Sequence, residues 1–219
     1  MEYAARNLGA SSSQSENSQS GSLETAEFDR APRYTLFIRA AKLISSQGEF
    51  ICVVRDVSET GVRLRLFHAP PTGEPLELHM ADGSSYELRQ IWHKDNESGY
   101  AFAQRIALSD FVTEDAQFPK RGLRLNLEFP LTVRSLNGEA GAIVENISQQ
   151  GARFSCEAAY AIDQTLRIEC PEEDIQFGEI SAKVRWRRDN GYGVVFDNTL
   201  SLEEFAKLAA RLQCPSLLG

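Results

Sequence analysis

Two short polar clusters have residue types and spacing suited to ligand chemistry. Asp56-Val57-Ser58-Glu59-Thr60-Gly61 recurs ninety residues later as Asn146-Ile147-Ser148-Gln149-Gln150-Gly151. On a strand, residues i and i+2 share a face. Asp56 and Ser58 are therefore expected side by side, as are Asn146 and Ser148, with Val57 and Ile147 turned into a core. Such a pair can hydrogen-bond one polar ligand edge. Gly61 and Gly151 permit a sharp bend or a close ligand approach. The same residue types also form ordinary turns, so the motif alone leaves both readings open.

Cations upstream of each motif narrow the chemistry. Arg30-Ala31-Pro32-Arg33 precedes the first, and Lys120-Arg121-Gly122-Leu123-Arg124 precedes the second. Arginine presents a planar fork that pairs with phosphate or with the O6/N7 edge of guanine, and it stacks on flat bases. Pro32 and Gly122 suit an irregular arm. An arginine arm beside an Asx/Ser surface fits an anionic purine nucleotide.

The elements that must position these residues also repeat. Trp92, Gly99 and Phe102 follow the first motif, and Trp186, Gly193 and Phe196 follow the second. Self-similarity at a fixed offset indicates one unit used twice. Val62, Leu64 and Leu66 alternate with Arg63 and Arg65, as Ala152, Phe154 and Cys156 do with Arg153 and Ser155, which predicts strands with one buried face. Asp82-Gly83, Asn96 to Gly99, Asn137-Gly138 and Asp189-Asn190-Gly191 are turn signals between apolar runs. About six short strands per unit point to a small closed barrel or sandwich. Residues 201–212 predict a helix: Ser201 can cap, acids fill the first turn, and Leu202, Phe205, Leu208 and Leu212 form a stripe. Leu108 to Val112 predicts a shorter one. The expected organisation is a disordered Ser/Gln-rich tail over residues 1–27, one unit over 28–115 and another over 116–219.

Bulk properties set limits. At 219 residues with net charge −8, the chain lacks the overall basic character of a general nucleic-acid binder. No apolar run reaches the roughly 18–20 residues of a membrane span, and no secretory signal pattern opens the chain. Cys52, Cys156, Cys170 and Cys214 fit neither a zinc motif nor a disulfide framework, so reduced cysteines in a cytoplasmic protein are expected. His68, His79 and His93 lack metal-ligand spacing, and neither a nucleophile elbow nor a P-loop occurs, so no enzyme activity, metal or cofactor is expected. Glu172-Glu173-Asp174 reads as a solvated turn, Trp92 and Trp186 as core residues, and Arg63, Arg65 and Arg153 as a solvated strand face.

These motifs together resemble a tandem of PilZ domains, bacterial receptors for the second messenger cyclic di-GMP. The family's signature is Arg-x-x-x-Arg followed by Asp/Asn-x-Ser-x-x-Gly. The second part is complete twice, at Asp56/Ser58/Gly61 and Asn146/Ser148/Gly151. The resemblance implies an all-β chain of two six-stranded antiparallel barrels, each followed by a C-terminal helix. It implies cyclic di-GMP as ligand, with Arg33 and Arg124 as second arginines of the motif and the Asx and Ser against a guanine edge. The first arginine position holds Asp29 in unit one and Lys120 in unit two; Arg30 and Arg121 stand one residue away. Asp29 would repel phosphate, whereas Lys120 keeps the charge but not the fork. Unit two is thus the expected better binder. The function implied is a non-enzymatic effector that passes ligand binding to a protein partner; the alternative is a degenerate adaptor working by protein contacts alone.

Overall fold

The computed structural model describes residues 34–112, 122–172, 175 and 177–219. The tail, Arg30, Arg33, Lys120, Arg121 and part of the Glu172-Glu173-Asp174 turn lie outside them.

Six strands make the first barrel: β1 (Tyr34–Ser45), β2 (Gly48–Ser58), β3 (Gly61–Arg65), β4 (Leu76–His79), β5 (Ser85–Lys94) and β6 (Glu97–Phe102). They pair antiparallel in the order β1-β2-β3-β6-β5-β4, and β4 returns to β1 to close the ring. Closure leaves no unpaired edge. The alternation read from the sequence sets the inner face: Val62, Leu64 and Leu66 are buried with Leu43, Leu78 and Tyr100. A short helix, α1 (Leu108–Val112), brings Phe111 onto Tyr86 and Phe102, with ring centroids 5.2 and 6.3 Å apart.

The second barrel repeats this plan with β7 (Arg124–Leu125), β8 (Phe129–Ser135), β9 (Gly138–Ser148), β10 (Gly151–Cys156), β11 (Thr165–Glu169), β12 (Ile180–Arg188) and β13 (Gly191–Phe196). The ring runs β10-β13-β12-β11-β8-β9 and closes through β9–β10, with β7 pairing to the end of β9. A single run from Leu125 to Val133 is expected from the sequence. The structure breaks it at residues 126–128, so β7 and β8 share the part β1 plays alone. β1 itself shifts register between Thr35 and Arg39. The chain thus steps aside in both units just after the arm. The hairpin expected at Asn137-Gly138 is present, with Gly138 at φ +127°, a region that L side chains rarely enter.

The second unit ends in α2 (Leu202–Gln213), capped as its sequence predicts. Glu204 N–H donates to Ser201 Oγ (3.1 Å), and Ser201 N–H donates to Glu204 Oε2 (2.8 Å). Phe205 and Leu208 close the second core. The helix's far end and the 3-10 turn Pro215–Leu218 reach the first barrel, where Ala210 and Leu217 pack on Phe50. Gln213 accepts from Glu49 N–H and donates to Glu49 C=O, both at 2.7 Å. Ile51 and Phe67 belong to the second barrel's core although their strand and loop belong to the first. The barrels therefore share apolar core rather than merely touching. Among the described residues no helix is long and apolar enough to cross a membrane.

Candidate functional site

Each Asx-x-Ser-x-x-Gly motif forms the β2–β3 or β9–β10 hairpin, and a bulge sets its geometry. Val54 pairs with Leu64 and Asp56 with Arg63, so Arg55 is the extra residue. Val144 pairs with Phe154 and Asn146 with Arg153, so Glu145 is the extra residue. A bulge bends its strand and re-aims the next side chains. Inward positions consequently run Cys52, Val54, Val57 and Ala142, Val144, Ile147, a step of two and then three. Val57 and Ile147 are wholly buried as expected.

The two serine hydroxyls are engaged within their own hairpins. Ser58 and Ser148 are only 3% and 7% exposed. Each hydroxyl donates across its own turn, Ser58 Oγ to Gly61 C=O at 3.3 Å and Ser148 Oγ to Gly151 C=O at 3.2 Å. Each also lies 3.4 Å from a backbone N–H two residues on, that of Thr60 or Gln150. These contacts lock the hairpin. The glycines serve the same closure. A Cβ on Gly61 would lie 2.6 Å from Tyr100 O, and one on Gly151 2.1 Å from Val194 O. The neighbouring strand therefore approaches closer than any side chain allows.

The Asx positions differ between units. Asp56 is 5% exposed and accepts from Arg63 Nε at 2.5 Å, while Arg63 Nη1 donates to Glu97 Oε2 at 3.2 Å. Glu97 also lies 3.8 Å from Arg55. Asn146 is half-buried. Its cross-strand partner Arg153 turns instead to Glu145, Nε to Oε2 at 2.6 Å. The Arg153 guanidinium then lies over the Trp186 ring, 5.9 Å from its centroid, within cation–π range. Arg63 and Arg153 stay on the solvated face expected from the sequence, with side chains 37% and 48% exposed, and each forms an ion pair there.

Trp92 and Trp186 are expected in the core but lie outside it, 39% and 40% exposed. A second bulge in each unit, at Ile91 and Arg185, turns them outward. Each indole lies on the glycine it pairs with: a Cβ on Gly99 or Gly193 would sit 2.1 or 2.0 Å from the indole nitrogen. The ring fills the missing side chain and leaves its other face on the barrel surface.

Arg124, exposed on β7, pairs directly with Ser148 of β9, so the arm of unit two runs beside the motif. Trp186, Arg153, Ser155, Arg188, Gly191 and Glu145 line an open groove of about 670 Å³. Sequence reasoning gave Trp186 and Arg153 other roles and did not single out Glu97, Glu145 or Arg188. Their matched places in the repeat were the one available signal. Among the described residues no cluster of His, Cys, Asp and Glu could hold a metal, and burial pushes the Cys52 thiol far above its ordinary pKa.

A family model described as the PilZ domain matches residues 27–112 and again residues 117–213. The chain belongs to the PilZ domain family. Solved structures resembling this tandem PilZ chain include Borreliella burgdorferi PlzA in complex with c-di-GMP, at 12% identity over 80% of this chain and 88% of that one, TM-score 0.34. Another is the Bacillus subtilis inhibitor of motility MotI/DgrA, at 12% identity over 82% and 96%, TM-score 0.34. Escherichia coli YcgR in complex with c-di-GMP matches at 9% identity over 77% and 80%, TM-score 0.31. Similarity this low says nothing of ligand or partner. No curated protein matches the sequence.

Proposed function

We propose that this chain is a cyclic di-GMP receptor without enzymatic activity, that unit two is its principal site, and that ligand binding is passed to a protein partner. The observation that carries the reading is the open groove of unit two lined by Arg153 and Trp186, on the strand that pairs Arg153 with Asn146 of the motif, while Arg124 pairs with Ser148 at the motif's other end. Each supplies one part of what a cyclic purine dinucleotide needs. The partly exposed indole and the Arg153 guanidinium above it together offer flat surface for a base. The Asn146 amide both donates and accepts, matching the mixed edge of guanine. Arg153 keeps its two terminal nitrogens for phosphate while Glu145 holds Nε. Lys120, Arg121 and Arg124 add charge along the arm, and their closure over the groove is the conformational change a partner would read.

Unit one supports a second reading, that of a degenerate module engaged in protein contact. Its arm carries Asp29, and its Asp56 is already paired with Arg63. Arg30, Arg33, Asp56, Ser58 and Gly61 are assigned to it as candidate site residues on the motif alone.

Calorimetric titration of cyclic di-GMP into the whole chain tests the proposal. Arg124→Ala and Asn146→Ala should each weaken binding about tenfold or more, the effect of losing one charge-assisted or buried hydrogen bond. Arg33→Ala should change little. Absence of heat and of a thermal shift with the wild-type chain refutes the receptor reading; loss of all binding in Arg33→Ala reverses the assignment of units.

A further inference from the structure

The strand registers place the two units residue against residue and expose one substitution between them. In unit one Glu97 pairs with Arg65 on one side and Lys94 on the other. In unit two the residue so placed is Gly191, between Ser155 and Arg188. The surroundings also correspond: Arg63 with Arg153, Trp92 with Trp186, and the turn residues Asp95 and Asp189, both at positive φ. Gly191, Ser155 and Arg188 line the open groove of unit two. Where that groove would continue in unit one, the Glu97 side chain stands among cations.

Its contacts are those an anionic ligand would make. One carboxylate oxygen accepts from Arg63 Nη1 at 3.2 Å, and the other lies 3.8 Å from Arg55 Nε. Arg63 is thereby held at both ends, by Asp56 through Nε and by Glu97 through Nη1. Arg153, the matching arginine, is held by Glu145 through Nε, with its guanidinium carbon 5.9 Å from the Trp186 ring centroid. A carboxylate and a phosphate oxygen compete for the same donor geometry on a guanidinium. Glu97 is fixed to the chain and needs no association step, so it competes at high effective concentration.

We propose that Glu97 is a built-in anionic plug that keeps unit one from taking cyclic di-GMP, and that Gly191 at the matching place leaves unit two open. This rests on the proposed ligand. Glu97 then adds to Asp29 in setting unit one apart from unit two. Removing Glu97 takes from Arg55 its contact at 3.8 Å and leaves Arg63 held by Asp56 through Nε, with Nη1 released from Glu97.

Calorimetry on three full-length chains tests this, with cyclic di-GMP as probe: wild type, the Asn146→Ala/Arg153→Ala variant, and that variant with Glu97→Gly added. Wild type should bind, the double variant should lose at least about tenfold in affinity, and Glu97→Gly should restore binding at unit one by a similar factor. Glu97→Gln, which keeps the size and removes the charge, should restore part of it. Circular dichroism and thermal melts verify that each chain is folded. Wild-type binding without restoration by Glu97→Gly overturns the plug. Binding undiminished in the double variant and then abolished by adding Arg33→Ala also overturns it, because unit one would bind with Glu97 in place. Absence of binding by wild type instead overturns the ligand, and the plug with it.

Discussion

The sharpest test of the structural argument is Gly151→Ala. In a ligand-centred view the motif glycine is there so that ligand can approach, and alanine should weaken binding while sparing the fold. The geometry gives a different result. The added Cβ would stand 2.1 Å from Val194 O, 3.1 Å from Val194 C and 3.2 Å from Val195 Cα. All three are backbone atoms of β13, which no rotamer change can move. Relieving the first contact requires about 1.4 Å of separation between β10 and β13, given ordinary contacts of roughly 3.5 Å. That takes a ladder hydrogen bond out of its usual range of about 2.7–3.2 Å. Overpacking costs about 1–3 kcal/mol, and one or two lost backbone bonds add about 0.5–1.5 kcal/mol each. The total, about 1.5–6 kcal/mol, is a large part of the roughly 5–15 kcal/mol that stabilises a domain. Urea unfolding followed by tryptophan fluorescence should show the loss without ligand present. Gly141→Ala, on β9 with nothing within 4 Å of the added Cβ, is the control and should change stability by less than about 1 kcal/mol. An unchanged midpoint for Gly151→Ala, or equal losses for both variants, refutes the assignment of the glycine to barrel closure.

Three further outcomes follow from particular contacts. Gln213→Ala removes both hydrogen bonds that tie α2 to the Glu49 backbone of the first barrel and should cost about 1–3 kcal/mol in urea unfolding; an unchanged midpoint means the bonds are not formed in solution. Ser201→Ala deletes the cap of α2 and should cost about 1 kcal/mol, read as a lower melting temperature of the full chain. His68 is buried against Phe50, with ring centroids 5.0 Å apart and Nε2 unpartnered among the described residues; burial holds its pKa below the ordinary 6.5. An imidazole with a depressed folded pKa contributes its stability above the ordinary value, and loses it as pH falls through that value toward the folded one. Wild type should therefore lose more stability than His68→Gln between about pH 7.5 and pH 5.5, a range that brackets the ordinary imidazole pKa; parallel losses would exclude His68 as the titrating group.

The repeat, the barrel class, the hairpins and the capped helix were legible because each depends on neighbours in sequence. Ser201 and Glu204 lie three residues apart and find each other whatever the rest does. The alternation of Val62, Leu64 and Leu66 marks an inner face without naming its partners. Trp92 and Trp186 misled for the same reason. They stand in apolar runs, and alternation without a bulge turns them inward. The extra residues Ile91 and Arg185 can be recognised only against β6 and β13, which define the register they break. Ser58 and Ser148 also read as ligand-facing from i, i+2 spacing, yet the tightness of the hairpin draws their hydroxyls into it.

The amino-acid sequence by itself determined that one β-rich unit is used twice, where each Asx-x-Ser-x-x-Gly hairpin lies, and that the two arms differ at Asp29 and Lys120. Those are matters of residue type and local spacing. Tertiary structure decided which of the duplicated polar groups confront one another. Arg63 meets Asp56 seven residues away and Glu97 thirty-four away, whereas Arg153 meets Glu145 and Trp186. It also decided that Ile51 and Phe67 serve the core of the other unit. Ion pairs and shared cores are set by strand register and bulges across the closed barrels. A local pattern in one strand cannot specify a register that exists only once its partner strand is in place.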